Sequence, residues 1–283
     1  MPARRPSSRR PARPRPAPLT ARTADRYRLY LDAVQDPPTE VARLSRLYHR
    51  LRRRHARTLR EDFCGTAGIC CDWARSRAER TAVGVDIDPE PLAWGARHNL
   101  SGLTDGQRAR VRLVRGSVLS SRIARLGRFD VICALNFSYW VFRRREIMLR
   151  YFQRCRRALA PGGLLVLDFF GGSEVLTELR ERTRNRGFTY VWDQADYDPV
   201  SGDWTAHIHF EFRDGTVLRR AFTYHWRLWT IPELRDLLAE AGFRRVRVML
   251  EGDAAGGGGD GVFRERRRGQ ADRSFIAYLA AER

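Results

Sequence analysis

Between Thr58 and Phe169 the chain alternates short apolar runs with helical stretches, and few folds tolerate that rhythm. The runs Thr58–Glu61, Thr81–Asp86, Val111–Arg115, Phe129–Leu135 and Leu164–Phe169 read as strands. Each intervening stretch is long enough for a helical crossover, so the strands must lie parallel, with helices on both faces of the sheet. Upstream, Tyr27, Tyr30 and Leu31, then Val41, Leu44, Leu47, Tyr48 and Leu51, recur at helical spacing around the break at Asp36-Pro37-Pro38, which predicts two helices before the first strand. From Phe188 the pattern changes. Phe188–Trp192, Trp204–Phe212 and Val217–Trp226 are aromatic, alternating segments, the last two joined across Asp214-Gly215, and they predict an antiparallel insertion over residues 188–229. A helix at Ile231–Ala241 stopped by Gly242 follows. Strands at Phe243–Leu250 and Ser274–Ala280 then flank the run Gly256–Gly259, read as a flexible hairpin loop.

Composition constrains the partners. The net charge of +20 points toward anionic ligands, but every basic residue is arginine, a uniformity that fits genome composition better than selection for phosphate contacts. Seven of the arginines (Arg4, Arg5, Arg9, Arg10, Arg13, Arg15 and Arg22) lie in a proline-rich, acid-free stretch, so residues 1–24 are expected to be a disordered tail. Nucleic acid is therefore a less favoured partner than a small molecule. No apolar run approaches the ~20 residues that cross a bilayer, and the first residues lack a secretory apolar stretch, so a soluble, cytoplasmic protein is expected. Cys64, Cys70, Cys71, Cys133 and Cys155 lack paired C-x-x-C spacing and read as reduced structural thiols, with no metal site implied.

The chemistry concentrates in Leu59-Arg60-Glu61-Asp62-Phe63-Cys64-Gly65-Thr66-Ala67-Gly68, a strand ending in a tight turn that opens a helix through Ile69 and Trp73. A side chain at Gly65 would collide with a ligand lying over that turn, and the following helix N-terminus favours a carboxylate. The second strand ends at Asp86, 21 residues after Gly65, where a carboxylate can accept hydrogen bonds from both ribose hydroxyls of an adenosine. A nicotinamide enzyme wants G-x-G-x-x-G for its pyrophosphate, whereas Phe63 and Cys64 occupy the earlier positions here. A cofactor without a pyrophosphate fits better.

From about Tyr27 onward the chain resembles the class I S-adenosylmethionine-dependent methyltransferases, in the small-molecule type. E-D-F-C-G-T-A stands where that family has acid-x-G-x-G-x-G, which aligns Glu61 with the acid at the cofactor's methionine end and Gly65 with the middle glycine. Asp62 is a possible substitute for Glu61. Phe63 and Ala67 replace the outer glycines. V-G-V-D-I-D carries the ribose-binding position at Asp86 with Ile87 beside it, and V-R-G-S-V places Ser117 near the adenine amino group. L-N-F-S-Y, from Leu135 to Tyr139, partly resembles the N-P-P-Y of amino-methylating enzymes through Asn136, and L-A-P-G-G-L-L-V-L-D matches the family's turn and fifth strand. The resemblance implies a Rossmann-like, mostly parallel seven-stranded sheet over residues 58–283, with residues 25–57 capping the cofactor site and the insertion on the substrate side. It also implies S-adenosyl-L-methionine bound by Glu61, Asp62, Gly65, Thr66, Asp86, Ile87, Ser117 and Asn136.

The acceptor side is less constrained. Tyr139, His209 and Tyr224 are the candidates for contacting the acceptor. His207 and His209, two apart on a strand, face one side, with His225 on the next strand. Without a cysteine or a clear carboxylate partner they read as a general base or ordinary sheet histidines rather than metal ligands. Among Tyr190, Trp192, Trp204, Tyr224, Trp226 and Trp229, core packing is expected for at least half. The rival readings are a nucleic-acid methyltransferase, suggested by the charge, a non-catalytic S-adenosylmethionine-binding protein, suggested by Phe63, Ala67 and Ser117, and a nicotinamide oxidoreductase.

Overall fold

A computed structural model describes residues 19–253 and 258–283. Two α-helices come first, α1 (Arg26–Ala33) and α2 (Pro37–Arg52), capped by Asp25 and Asp36, whose carboxylates accept first-turn N–H groups. Prolines open α2, where the missing N–H costs nothing. The parallel strands are β1 (Thr58–Asp62), β2 (Thr81–Asp86), β3 (Val111–Arg115), β4 (Phe129–Ala134) and β5 (Leu159–Gly171). Between them run α3 (Gly68–Ser76), α4 (Pro89–Gly95) with a π-helical turn to Leu100, α5 (Asp105–Arg108), α6 (Ser121–Ala124) and α7 (Arg145–Ala158). After β5 come β6 (Leu179–Arg184), β7 (Phe188–Tyr197), β8 (Asp203–Phe212), β9 (Val217–Arg227), α8 (Ile231–Glu240), β10 (Arg245–Asp253), β11 (Gly259–Glu265) and β12 (Phe275–Glu282).

The main sheet runs β11-β10-β12-β5-β4-β1-β2-β3, with β1 to β5 parallel and β10, β11 and β12 joined antiparallel. It has eight strands, not the expected seven. The extra one, β11, follows the glycine run and carries few apolar residues, because an edge strand need bury little. The loop expected at Gly256–Gly259 lies partly outside the described residues, and Gly259 opens β11. β5 also starts earlier than expected, at Leu159, and passes through Pro161–Gly163 as an irregularity in its pairing with β4, with Gly162 at φ 73°.

The second sheet, β6-β7-β8-β9, is antiparallel. The insertion therefore has four strands and begins at Leu179, because β6 is an exposed, charge-rich edge that shows no apolar alternation. Along β8, Trp204, Ala206, Ile208 and Phe210 are buried toward the rest of the molecule, and Leu29 of α1 packs against Phe188, Ile208 and Phe210. The disorder expected for residues 1–24 concerns residues mostly outside those described. Leu19–Ala24, however, form a turn in which the Ala21 N–H donates to Thr216 Oγ1 at 3.0 Å, so these six residues of the expected tail are held against the second sheet.

Candidate active site

The order of the main sheet reverses between β1 and β4, and ligands of open α/β sheets bind in the crevice that such a reversal opens at the carboxyl ends of the strands. The turn after β1 lies there. Its backbone is left-handed at Phe63 (φ 59°), Gly65 (φ 51°) and Ala67 (φ 59°). These are the three positions at which the resembled motif has glycine, so the loop path survives although two of the glycines do not. A left-handed non-glycine residue costs roughly 1–2 kcal/mol, and packing offsets it: the Phe63 ring lies against Phe142 and Tyr151, and Ala67 is fully buried. A Cβ built on Gly65 meets nothing within 4 Å, which leaves open space above the turn. A Cβ on Gly95 would come within 2.2 Å of the Thr66 carbonyl oxygen, so α4 needs glycine there to lie close against the turn.

Asp86 closes this cradle from β2. Its Oδ2 accepts the Gly65 N–H at 2.7 Å and its Oδ1 accepts the Asp88 N–H at 2.9 Å, leaving one lone pair on each oxygen. Burial raises its pKa, against these N–H groups, which lower it. Ile87 follows with 66% of its surface exposed, a bare apolar side chain at the rim. Ser117, after β3, accepts the Leu119 N–H at 3.2 Å while staying half-buried. Thr66 is buried, and its carbonyl accepts from Asn99 Nδ2 at 2.9 Å.

The two acids of β1 separate, since neighbouring residues on a strand face opposite sides. Glu61 Oε2 accepts the Cys70 N–H at 3.1 Å at the start of α3, and burial pushes its pKa up to about 8. Glu61 therefore sits beneath the turn and holds the helix N-terminus. Asp62 is a correction. It is fully buried on the α7 side, with Oδ2 accepting from Arg60 at 2.8 Å and Tyr151 at 3.0 Å, so it cannot stand in for Glu61.

Two acceptor candidates also require correction. Tyr139 is buried and donates its hydroxyl to the Asp168 carbonyl at 2.8 Å, which anchors the turn after β4 and leaves no reactive group exposed. His209 lies among the odd positions of β8, opposite the face that packs on α1. Its Nε2 pairs with Asp193 at 3.0 Å, and its Nδ1 accepts the N–H of Arg220, which is left-handed (φ 48°) at a bulge between β8 and β9. It stabilises that bulge. Tyr224, in contrast, is on the inward face of β9 and packs on Trp226 and Trp192. Trp204, Trp226 and Trp229 are core, while Tyr190, Trp192 and Tyr224 stay half-buried toward Tyr30 of α1.

Asn136 and Phe137 are both left-handed (φ 55° each), and their N–H groups donate to the two oxygens of Asp168 at 2.6 and 2.9 Å. Asp168 is absent from the residues expected at the site, and its signal is the one acid within the apolar run Leu164–Phe169. Burial pushes the Asp168 pKa up to about 8. A cleft of 1810 Å³ lies between α8, β10 and the 266–274 segment, and contains none of these residues.

A reversal-point crevice with an open glycine turn, a strand-end carboxylate and a bare apolar rim is a shape that suits a nucleoside ligand. Residues 64–165 match the family model described as "Methyltransferase domain". The matched stretch runs from the turn after β1 into β5 and takes in Gly65, Asp86, Ser117 and Asn136. Among solved structures it is similar to the CcbJ methyltransferase from Streptomyces caelestis, at 20% identity and TM-score 0.63 over 88% of this chain and 98% of that one. Another is CalS10, an amino pentose methyltransferase from Micromonospora echinaspora, at 19% identity and TM-score 0.62 over 90% and 95% of the two chains. A third is the sugar N-methyltransferase KedS8 from Streptoalloteichus, at 20% identity and TM-score 0.57 over 98% of each. No curated protein matches the chain in sequence. Among the described residues, no helix is long and apolar enough to cross a membrane.

Proposed function

We propose that the protein methylates a small-molecule amine held between the β4–β5 edge and the inward face of the second sheet. The observation that carries this reading is the open cradle over Gly65 bordered by Asp86, because a cofactor with a ribose and no pyrophosphate fits it. In this reading Gly65 and Thr66 lie under the methionine end, with Glu61 holding the α3 N-terminus below them. Asp86 accepts from the ribose hydroxyls with its remaining lone pairs, Ile87 covers one face of the adenine, and Ser117 reaches its edge. Asn136 borders the reacting centre. S-adenosylmethionine, when bound, supplies an electrophilic sulfonium methyl with a good leaving group for in-line displacement.

The chain's own work is alignment and exclusion of water. Residues 25–57 suit a cap. Arg26 pairs with Glu90 of α4 at 2.6 Å, Trp94 Nε1 donates to Asp25 at 2.5 Å, and the Tyr27 ring lies 5.8 Å from that of Trp94. On its other side α1 meets the second sheet through Tyr30 and Phe222, with rings 4.9 Å apart. The helix thus spans from the ribose side to the acceptor side. Tyr224, Trp192 and Tyr190 on that inward face give the acceptor an aromatic wall, and the amino pentose and sugar N-methyltransferases among the similar structures favour an amine.

The test supplies methyl-labelled S-adenosylmethionine with a panel of amino sugars and other small amines, and measures labelled product against S-adenosylhomocysteine. One equivalent of each is expected with at least one amine. Homocysteine-bearing product formed only with hydroxylated or nucleic-acid acceptors would overturn the amine assignment.

A further inference from the structure

The turn after β4 is an unusual device. Two successive left-handed residues aim their N–H groups at one point, a concavity that binds anions, and here the anion is the chain's own Asp168. Neither residue is glycine, so each is strained, and the carboxylate is what holds them. Phe137 then packs on Phe170 and Trp226, joining the turn to the second sheet.

The titratable groups near enough to Asp168 to feel its charge are Tyr30 of α1, Glu40 of α2, Cys133 of β4, Tyr139 of the turn and Tyr278 of β12. All are neutral or acidic. Arg43, the nearby cation, pairs instead with Glu40 and the Tyr278 hydroxyl. Among the described residues no arginine forms an ion pair with Asp168, in a chain with 53 basic residues, so a carboxylate held by two N–H groups has no cationic partner in this corner beside the aromatic rings. Such a corner attracts ammonium groups.

Resting on the reading that the cofactor lies in this crevice, we infer that Asp168 is the positioning residue of the acceptor side. Its carboxylate clamps the Asn136–Phe137 turn and sets a negative charge beside the point of methyl transfer, which selects an amine-bearing acceptor. The clamp depends on ionisation, since a carboxylate accepts both N–H groups while a protonated acid turns one oxygen into a donor. With its pKa near 8, Asp168 makes the corner more negative as pH rises from 6.5 to 9.

The probes are S-adenosylhomocysteine and sinefungin, an analogue that carries an amine on the carbon replacing the sulfonium. Calorimetric titration of the full chain at pH 6.5 and 9 gives the ratio of their affinities, in which effects common to both ligands, including ionisation of Glu61, cancel. In the wild type, preference for sinefungin should grow by about tenfold between the two pH values. Asp168→Asn should make the ratio flat while changing S-adenosylhomocysteine affinity by no more than about threefold. If that variant does not fold, adding Phe137→Gly restores the turn without the clamp, because glycine adopts positive φ at no cost, and the flat ratio should remain. A flat wild-type ratio, or a pH-dependent ratio in Asp168→Asn, overturns the inference while leaving cofactor binding intact. Failure of the wild type to bind either probe overturns the cofactor reading together with it.

Discussion

The buried pair Arg60–Asp62 lies one residue before the cofactor turn, and its removal has a calculable consequence. Arg60 is 1% and Asp62 0% exposed, their nearest atoms are 2.8 Å apart, and Tyr151 donates to the same carboxylate oxygen. Burial alone would lower the Arg60 pKa, yet the Asp62 carboxylate beside it carries it above its ordinary value. Arg60 Nε and Asp62 Oδ1 have no hydrogen-bond partner, which weakens what the pair returns for its desolvation. Asp62→Leu leaves a buried, uncompensated guanidinium and should cost about 3–5 kcal/mol. At roughly 2–4 °C per kcal/mol for a chain of this size, the midpoint of thermal unfolding should fall by about 6–20 °C. Combining Arg60→Met, Asp62→Leu and Tyr151→Phe removes the ion pair and its tyrosine at once, leaves only the weakly polar Cys155 thiol, and should return stability to within about 1–2 kcal/mol of wild type. Differential scanning calorimetry reads the transitions, and titration with S-adenosylhomocysteine reads the site. Affinity in the triple variant should match wild type, because Asp62 faces α7. Additive losses in the triple variant would refute the energetic argument, and lost affinity in a stable triple variant would refute the placement of Asp62.

Asp86→Ala should weaken S-adenosylhomocysteine binding by about 1.5–3 kcal/mol through the lost ribose acceptors, and unchanged calorimetric affinity in a folded variant would remove Asp86 from the site. For Glu61 the folded pKa of about 8 lies above the ordinary 4.5, so the folded state holds its proton longer than the unfolded chain. That contribution is fully present below about pH 4.5 and is lost as pH rises toward 8. Denaturant titrations should therefore show Glu61→Gln losing less stability than wild type between pH 5 and 8, and parallel pH profiles would contradict the assignment.

The parallel half of the sheet was legible because Ala82–Val85 and Val131–Ala134 are apolar runs bounded by turns, and burial on both faces demands such runs. The same rule hid β6 and β11, whose edge positions let charged and glycine residues stand where alternation was sought. The meeting of Gly65 and Asp86 was readable from spacing, since one strand–turn–helix–strand unit brings both together. Asp62 and Glu61 were ambiguous only in which side each faced, and a one-residue register decides that. His207 and His209 share a face, as period two requires, but periodicity does not tell which face is inward. Asp168 was out of reach for a different reason: its partners, the N–H groups of Asn136 and Phe137, come from another strand, and their strained backbone shows only in three dimensions.

The central claim is that S-adenosylmethionine occupies the space above Gly65, and Gly65→Leu tests it most directly. A Cβ there meets nothing within 4 Å, so the variant should fold, at a cost of roughly 1–2 kcal/mol for its left-handed backbone. Calorimetric titration with S-adenosylhomocysteine should give one site in the wild type and at least about a hundredfold weaker binding in folded Gly65→Leu, equivalent to about 2.7 kcal/mol. Equal affinity in the two proteins would place the cofactor elsewhere and contradict the account.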